Sequence, residues 1–404
     1  MKIFFILSSL GSGGSERVVS LLANKFANTS DFGRSHEMAF PAQCEVEIVC
    51  LLFNDYYYKV DKNVKVTFLQ NVSSPERENE AITDNELQSS KGQINIVSDT
   101  MCTFKKMGWL RKHVKKEKPN VVIAFTEGVY CFTIAALAGI NTKIISSERN
   151  DPKFMNWKRN ALKRIFLPYT EWLVVQTESI RKQFVWGGLK RKTSVIVNPV
   201  RDEVFNNGMA TFVHTKSPSN LPQQLPTNNI ISVARLFPQK NQTMLIKAFS
   251  KISTKYPNWN LVIYGEGPER KSLETLINRL QLNEKIMLPG TSKGIIQEMR
   301  KSQIFVLSSN YEGMSNSMIE AVCSGLPVVT TKVSGTEELV KEGENGYVVP
   351  VGDVDAFASA LDKLMSNNER LHQFSLKSLE LAENFRTDNI VKEWVNIILK
   401  ITRK

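Results

Sequence analysis

Two glutamates, Glu312 and Glu320, stand with seven residues between them in Tyr311-Glu312-Gly313-Met314-Ser315-Asn316-Ser317-Met318-Ile319-Glu320-Ala321. The apolar run Ile304-Phe305-Val306-Leu307 ahead of them reads as a buried strand, and Ser315, Asn316 or Ser317 can cap a helix running to Ser324. Glu312 then lies in the loop and Glu320 one to two turns into the helix. Free backbone N–H groups and the positive end of the helix dipole suit a diphosphate there, and a carboxylate accepts from sugar hydroxyls. That is the residue set a nucleotide-sugar site needs. A plainer reading competes on equal terms, with Glu312 as a turn residue and Glu320 as an exposed helix residue, because two glutamates at a fixed spacing are a weak motif.

A second constellation shifts the balance. In Ile230-Ile231-Ser232-Val233-Ala234-Arg235-Leu236-Phe237-Pro238-Gln239-Lys240-Asn241, a strand of branched apolar residues ends at Arg235, and Lys240 follows five residues later. In open α/β sheets ligands bind at such strand ends, where an Arg fork and a Lys point charge suit a diphosphate. A solvated basic loop is the bland alternative. Leu261-Val262-Ile263-Tyr264-Gly265-Glu266-Gly267-Pro268 repeats the sequence of strand, glycine turn and helix.

Taken in order, Arg235 and Lys240, Gly265-Glu266-Gly267-Pro268, Glu312 to Glu320 and Gly325-Leu326-Pro327-Val328-Val329 resemble the retaining glycosyltransferase family 4 (group 1 glycosyltransferases) over most of residues 228 to 365. The first half agrees more loosely, through Gly13-Gly14-Ser15-Glu16-Arg17 and Val195-Ile196-Val197-Asn198-Pro199. The resemblance implies an α/β fold of the GT-B type, two Rossmann-like domains facing a central interdomain cleft. By similarity, Arg235 and Lys240 hold the donor diphosphate, Glu312 contacts donor sugar hydroxyls and Glu320 holds the nucleotide ribose. Gly313, Met314, Ser315 and Asn316 lie along the same donor site, and Gly13 and Gly14 let the backbone approach the donor phosphates.

The composition fits this expectation without requiring it. A chain of 404 residues, 42% hydrophobic, exceeds a usual single core and can fill two. A formal charge of +12 favours anionic partners but does not choose among nucleotides, membrane surfaces and nucleic acid. Cys44, Cys50, Cys102, Cys131 and Cys323 are odd in number and scattered, as free thiols would be. Ile3-Phe4-Phe5-Ile6-Leu7 is too short for a signal peptide and reads as a first strand, followed by an amphipathic helix over Glu16 to Phe26. No stretch reaches the length of a membrane span. The expected place is the cytoplasm, or the inner face of the cytoplasmic membrane.

Strand-like runs alternate with helical patterns throughout, as in parallel sheets covered by helices. Expected strands are 2–8, 45–53, 64–68, 121–125, 143–147, 172–176 and 194–197 in the first half, then 229–233, 258–264, 285–288, 304–307, 328–330 and 346–349. The expected organisation is an acceptor-binding domain over 1–198, an irregular connection over 199–228, a nucleotide-sugar domain over 229–385, and a helix over 386–404 that packs back on the first domain. Polar segments 28–43 and 71–98 read as surface loops or insertions.

Several motifs take modest readings. Gly11-Ser12-Gly13-Gly14 lacks the third glycine and the correctly spaced acid of a nicotinamide site. Asp353 in Asp353-Val354-Asp355 reads as a helix N-cap, so no metal is assigned. His36, His113, His214 and His372 show no ligand spacing. Many relatives carry a histidine near the donor sugar, and the corresponding stretch, Ile144 to Pro152, has none. The resemblance leaves Glu148, Arg149 or Asn150 to position the substrates, with Arg149 as the preferred contact to an acceptor phosphate and Glu127 as a further acceptor-side residue.

Phe104 to Lys116 mixes apolar anchors with cations, and two readings fit: a face lying on an anionic bilayer with Trp109 at headgroup level, or a helix with Leu110 and Val114 in the core and its lysines in water. Lys153, Trp157, Lys158, Arg159, Lys163 and Arg164 form a second such cluster. No nucleic-acid reader motif is present. The expectation is a metal-independent retaining glycosyltransferase that needs no cofactor beyond its co-substrate. It would move a hexose or N-acetylhexosamine from a nucleoside-diphosphate sugar, with UDP as the expected nucleotide, to a lipid-linked glycan for bacterial surface polysaccharide. The alternatives are a nucleotide-sugar epimerase of the same fold and a non-catalytic donor- or glycan-binding subunit.

Overall fold

A computed structural model describes residues 1–11, 13–28, 44–52, 56–69, 100–206 and 228–403. The chain forms two compact units, Met1–Ile196 with Val391–Lys404, and Val197–Ile390. Most of the two polar segments, and residues 207–227 of the expected connection, lie outside the described residues, as do His36 and His214.

The first unit is built on seven parallel strands: β1 (Lys2–Leu7), β2 (Glu45–Cys50), β3 (Val64–Phe68), β4 (Val121–Phe125), β5 (Lys143–Ser147), β6 (Trp172–Val175) and β7 (Thr193–Val195). Their order is β3-β2-β1-β4-β5-β6-β7. Helices cover both faces of such a sheet, so the strands read as continuous apolar runs; in β1 and β4 nearly every side chain is buried. The order reverses between β1 and β4, and ligands of doubly wound sheets bind at the carboxyl ends of the strands at that reversal. Helix α1 (Gly14–Ala27) begins just after β1. In α2 (Thr100–Glu117), Leu110 and Val114 are in the core, and Trp109 stacks on His113 at 4.6 Å between ring centroids. His113 stacks in turn on Phe4, and its Nε2 lies 2.8 Å from Glu47 Oε1. Leu110, Val114 and Trp109 thus follow the core-helix reading of this basic segment, and His113 has a structural role. Helices α3 (Glu127–Leu137) and α4 (Trp157–Phe166) follow β4 and β5. Trp394, from the helix Thr387–Thr402, is buried in this unit and stacks on Phe125 at 5.9 Å.

The second unit has six parallel strands: β8 (Asn228–Val233), β9 (Trp259–Tyr264), β10 (Ile286–Gly290), β11 (Ile304–Leu307), β12 (Val328–Thr331) and β13 (Gly346–Val349). The order is β10-β9-β8-β11-β12-β13, with its reversal between β8 and β11. In β11, Ile304 and Val306 join one hydrophobic layer and Phe305 and Leu307 the other, as the two-residue period of a strand requires. Val200 and Val204, placed by the sequence in a connection, are buried among Phe305, Met318 and Ile319. Asp353 caps the helix Val354–Met365, accepting from Ala356 N at 2.9 Å. Among the described cysteines, Cys44, Cys50, Cys131 and Cys323 are buried and form no disulfide.

The loop after β9 packs its backbone directly on the loop after β8. Leu236 N donates to Glu266 O at 2.9 Å, and a Cβ on Gly265 (φ 141°) would fall on the carbonyl oxygen of Ala234. Backbone cannot yield as a flexible side chain does. Gly265→Ala is therefore expected to destabilise this unit by more than about 1 kcal/mol, read from the urea unfolding midpoint.

Candidate functional site

The loops after β8 and β11 flank the reversal of the second sheet, and backbone and side-chain bonds lace them together. Asn310 N donates to Gln239 O at 2.8 Å, Gln239 Nε2 to Tyr311 O at 2.8 Å, and Ser308 Oγ to Lys240 O at 2.9 Å. Asn241 adopts a left-handed conformation (φ 46°), donates from Nδ2 to Asn310 Oδ1 at 3.0 Å, and caps the helix Gln242–Ile252. Asparagine tolerates that conformation better than most residues, so the chain turns there from the loop into the helix.

These bonds bring Lys240 against Glu312. Glu312 Oε1 accepts from Lys240 Nζ at 2.5 Å and from Ser309 Oγ at 2.6 Å. Ser309 is held from behind, its carbonyl accepting from Thr331 Oγ1 at 2.6 Å. The Glu312 side chain is 8% exposed and that of Lys240 15%, so the pair is mostly withdrawn from water. Arg235, at the end of β8, stays exposed with its guanidinium 4.9 Å from the centre of the Phe237 ring. Of the two expected cations, one is paired in the site and the other stands in solvent beside it.

Ser315 is the N-cap of the helix Asn316–Cys323, its Oγ accepting from Met318 N at 3.3 Å. Gly313 and Asn316 are half-buried, and Met314 and Ser315 are buried. Asn316 Oδ1 accepts from Asn198 Nδ2 at 2.7 Å. Glu320 is buried, at 4% exposure, and its Oε1 accepts from Arg201 Nη2 at 3.0 Å. Glu320 is therefore not the exposed helix residue of the plainer reading, and Glu312, in its loop, is likewise a buried carboxylate held by a cation. Arg201 and Asn198 were not legible beside these residues, since each meets its partner more than a hundred positions away; Ser309, only three positions before Glu312, stood just ahead of the motif that was read.

In the first unit, Gly13 is the N-cap of α1 and Gly14 its first residue, exposed to solvent. A Cβ at Gly13 would collide with the Glu16 carboxylate. Thr126, directly after β4, has φ 72°, which is costly for a β-branched residue, on the order of 1–3 kcal/mol. Its backbone is fixed by bonds to Ser147 O and from Tyr130 N, both at 3.0 Å.

Glu127 and Glu148 converge on a lysine that is itself buried. Lys163 Nζ lies 2.6 Å from Glu148 Oε2 and 3.8 Å from Glu127 Oε2. Glu148 has no exposed surface: Tyr130 Oη also donates to Oε2 at 3.0 Å, while Oε1 takes the backbone N–H groups of Arg149 and Asn150. Glu148 thus anchors the loop after β5, and the contact expected between it and an acceptor would need those bonds to open. Glu127 accepts from Arg159 Nε at 3.2 Å. Burial raises its pKa above the ordinary 4.5, opposed by Lys163 and Arg159 and reinforced by Glu148. Arg149 is buried with its guanidinium 4.5 Å from the centre of the Phe125 ring, and burial pushes its pKa down to about 9 while Glu148 pulls it upward, so it remains a cation at neutral pH. Lys163 and Tyr130 escaped sequence reading, Lys163 because it looked like one more cation of a basic cluster. Among the described residues, no group of three or more His, Cys, Asp or Glu is placed to hold a metal ion, and no helix is long and apolar enough to cross a membrane.

Residues 214–379 match the sequence model of the family described as glycosyl transferases group 1. An uncharacterized glycosyltransferase of Haemophilus influenzae is 26% identical over 402 residues, covering 98% of this chain and 99% of that protein. A Campylobacter jejuni protein named GalNAc-alpha-(1->4)-GalNAc-alpha-(1->3)-diNAcBac-PP-undecaprenol alpha-1,4-N-acetyl-D-galactosaminyltransferase is 24% identical, with 99% of each chain covered. The crystal structure of Anabaena HepE in complex with UDP and glucose superposes with a TM-score of 0.73 at 18% identity, covering 98% of each chain. The fold is that of the GT-B glycosyltransferases, two α/β units with parallel sheets of seven and six strands.

Proposed function

We propose that this chain is a retaining glycosyltransferase that moves a hexose or N-acetylhexosamine from a nucleoside-diphosphate sugar, with UDP as the nucleotide, to a hydroxyl of a lipid-linked glycan in bacterial surface polysaccharide synthesis. The observation that carries this reading is the part-buried Lys240–Glu312 pair at the strand-order reversal of the second sheet, followed by the capped helix that holds Glu320. Support for the substrate class comes from the group 1 match and from the names of the relatives.

In this reading Lys240, with Arg235 beside it, holds the donor diphosphate. Negative charge builds on the leaving diphosphate as the glycosidic bond breaks, so cations fixed there act most strongly in the transition state. The N–H groups at the start of the helix Asn316–Cys323, around Gly313, Met314, Ser315 and Asn316, add positive potential. Glu312 is already anchored by Ser309 and so is preorganised to accept from sugar hydroxyls. Glu320, oriented by Arg201, accepts from the ribose. By the family resemblance Gly13 and Gly14 let the backbone approach the donor phosphates, and Glu127 and Arg149 serve the acceptor side. The acceptor hydroxyl attacks the face from which the diphosphate departs.

The test is to incubate the purified chain with UDP-sugars alone and then with a lipid-linked acceptor, following donor loss and the anomeric configuration of the product. Transfer with retention is expected. Donor conversion without acceptor would identify an epimerase, and donor binding without conversion a binding subunit. Glu320→Gln is expected to raise the KM for the donor roughly tenfold, the worth of one hydrogen bond to a charged group, with a smaller effect on kcat.

A further inference from the structure

Helix α4, WKRNALKRIF, is inserted with its apolar side outward. At 100° per residue, Asn160 and Lys163 fall on the side that faces the protein, and Lys163 is buried against Glu148. Ile165 and Leu162 fall on the opposite side, Trp157 on the flank, and all three are exposed, Trp157 at 75%. A helix of a soluble surface normally does the reverse. The flanking turns continue the pattern, with Phe154 on one side and Tyr169, 74% exposed, on the other. Five large apolar side chains thus stand in solvent within sixteen residues.

The charge around them has one sign. Residues 152–170 contain Lys153, Lys158, Arg159, Lys163 and Arg164 and no Asp or Glu. Lys163 is spent on Glu148 and Arg159 reaches Glu127, which leaves Lys153, Lys158 and Arg164 exposed, Lys158 between Ile165 and Leu162 on the helix. We propose that α4 with its two flanking turns, Phe154 to Tyr169, is a docking surface for an anionic lipid bilayer, with Trp157 and Ile165 entering the interface and Lys153, Lys158 and Arg164 meeting the headgroups. Charge complementarity selects this occupant: aromatic and aliphatic anchors interleaved with cations bind negatively charged interfaces. A second copy of the chain is disfavoured, since its equivalent face would bring the same cations together. The buried Lys163 bonds fix the helix rigidly enough to present that face. This surface is independent of the catalytic reading above and is tested without turnover.

The full chain is mixed with vesicles of phosphatidylcholine, with and without phosphatidylglycerol, and co-sedimentation is measured for the wild type, Trp157→Ser/Ile165→Ser, and a control, Phe104→Ser, on α2. Because all three altered side chains are exposed, an unchanged melting temperature is expected for each variant. The wild type and the control are expected to bind the anionic vesicles, with binding falling as salt rises. The double variant should bind about tenfold more weakly, and vesicles lacking phosphatidylglycerol should bind the wild type about tenfold more weakly. Equal binding by wild type and double variant, or no binding by either, overturns the proposal. So does a wild-type dimer in sedimentation velocity that the double variant abolishes, which would assign the face to a second copy.

Discussion

Lys240→Ala should lower kcat for sugar transfer by about 10²–10³-fold, the loss seen when one fixed donor to a developing negative charge is removed, or about 3–4 kcal/mol of transition-state stabilisation. The size of the effect follows from burial. A cation in water gains little from a nearby anion, whereas Lys240 sits largely out of solvent, held by Glu312 and by loops whose backbone bonds cannot shift independently. Its charge is therefore in place before the bond breaks. The same change leaves the Glu312 carboxylate without its cation, so the variant also loses stability. Circular dichroism and a melting curve separate unfolding from a folded, inactive protein. Lys240→Met, which keeps the bulk of the side chain, should show the same loss of kcat. Unchanged turnover in a folded variant would remove Lys240 from the mechanism.

The second large effect is structural. Lys163→Met is expected to destabilise the first unit by about 3–5 kcal/mol, because removing one member of a buried ion pair leaves its partner charged and unpaired. Here two partners remain, Glu148 at 2.6 Å and Glu127 at 3.8 Å. Glu127 already titrates above 4.5 because of burial, and Lys163 is the largest influence opposing that rise. Without the lysine its folded-state pKa climbs further. A carboxyl whose pKa is higher in the folded state binds its proton more tightly there, so the variant gains stability as pH falls through that raised pKa toward 4.5 and loses it as pH rises back. Urea unfolding across mildly acidic to neutral pH should show the gap between variant and wild type narrowing toward acid. A gap that is small, or that widens toward acid, would show that the buried lysine does not neutralise this pair.

Much of the fold could be read without coordinates. Val121–Phe125 and Ile304–Leu307 are strands over the very residues expected, because a strand buried on both faces is an unbroken apolar run ended by the polar loop that follows, and Lys143–Ser147 and Gly346–Val349 also keep the bounds expected of them. The helix start at Asp353 was equally readable, and the other was narrowed to Ser315, Asn316 or Ser317, of which Ser315 is the cap, since an N-cap bonds its own second or third following residue and needs no distant partner. The candidate donor residues could be found for a related reason: in a parallel sheet, side chains at strand ends reach the same edge. Val200 and Val204, within the connection expected over 199–228, had too few apolar neighbours in sequence to announce that they are core.

What the amino-acid order determined by itself is therefore local: where strands and helices begin and end, and which polar residues stand at the loops. Pairing was decided only in three dimensions. Lys240 meets Glu312 across 72 residues and Arg201 meets Glu320 across 119, and both meetings depend on how the chain folds back on itself in the second unit. The same holds for α4, whose periodicity defines an apolar and a polar face without saying which turns inward. Burial of Lys163 beside Glu148 settles that, because a buried carboxylate requires a cation more strongly than a surface helix requires its apolar side to be hidden.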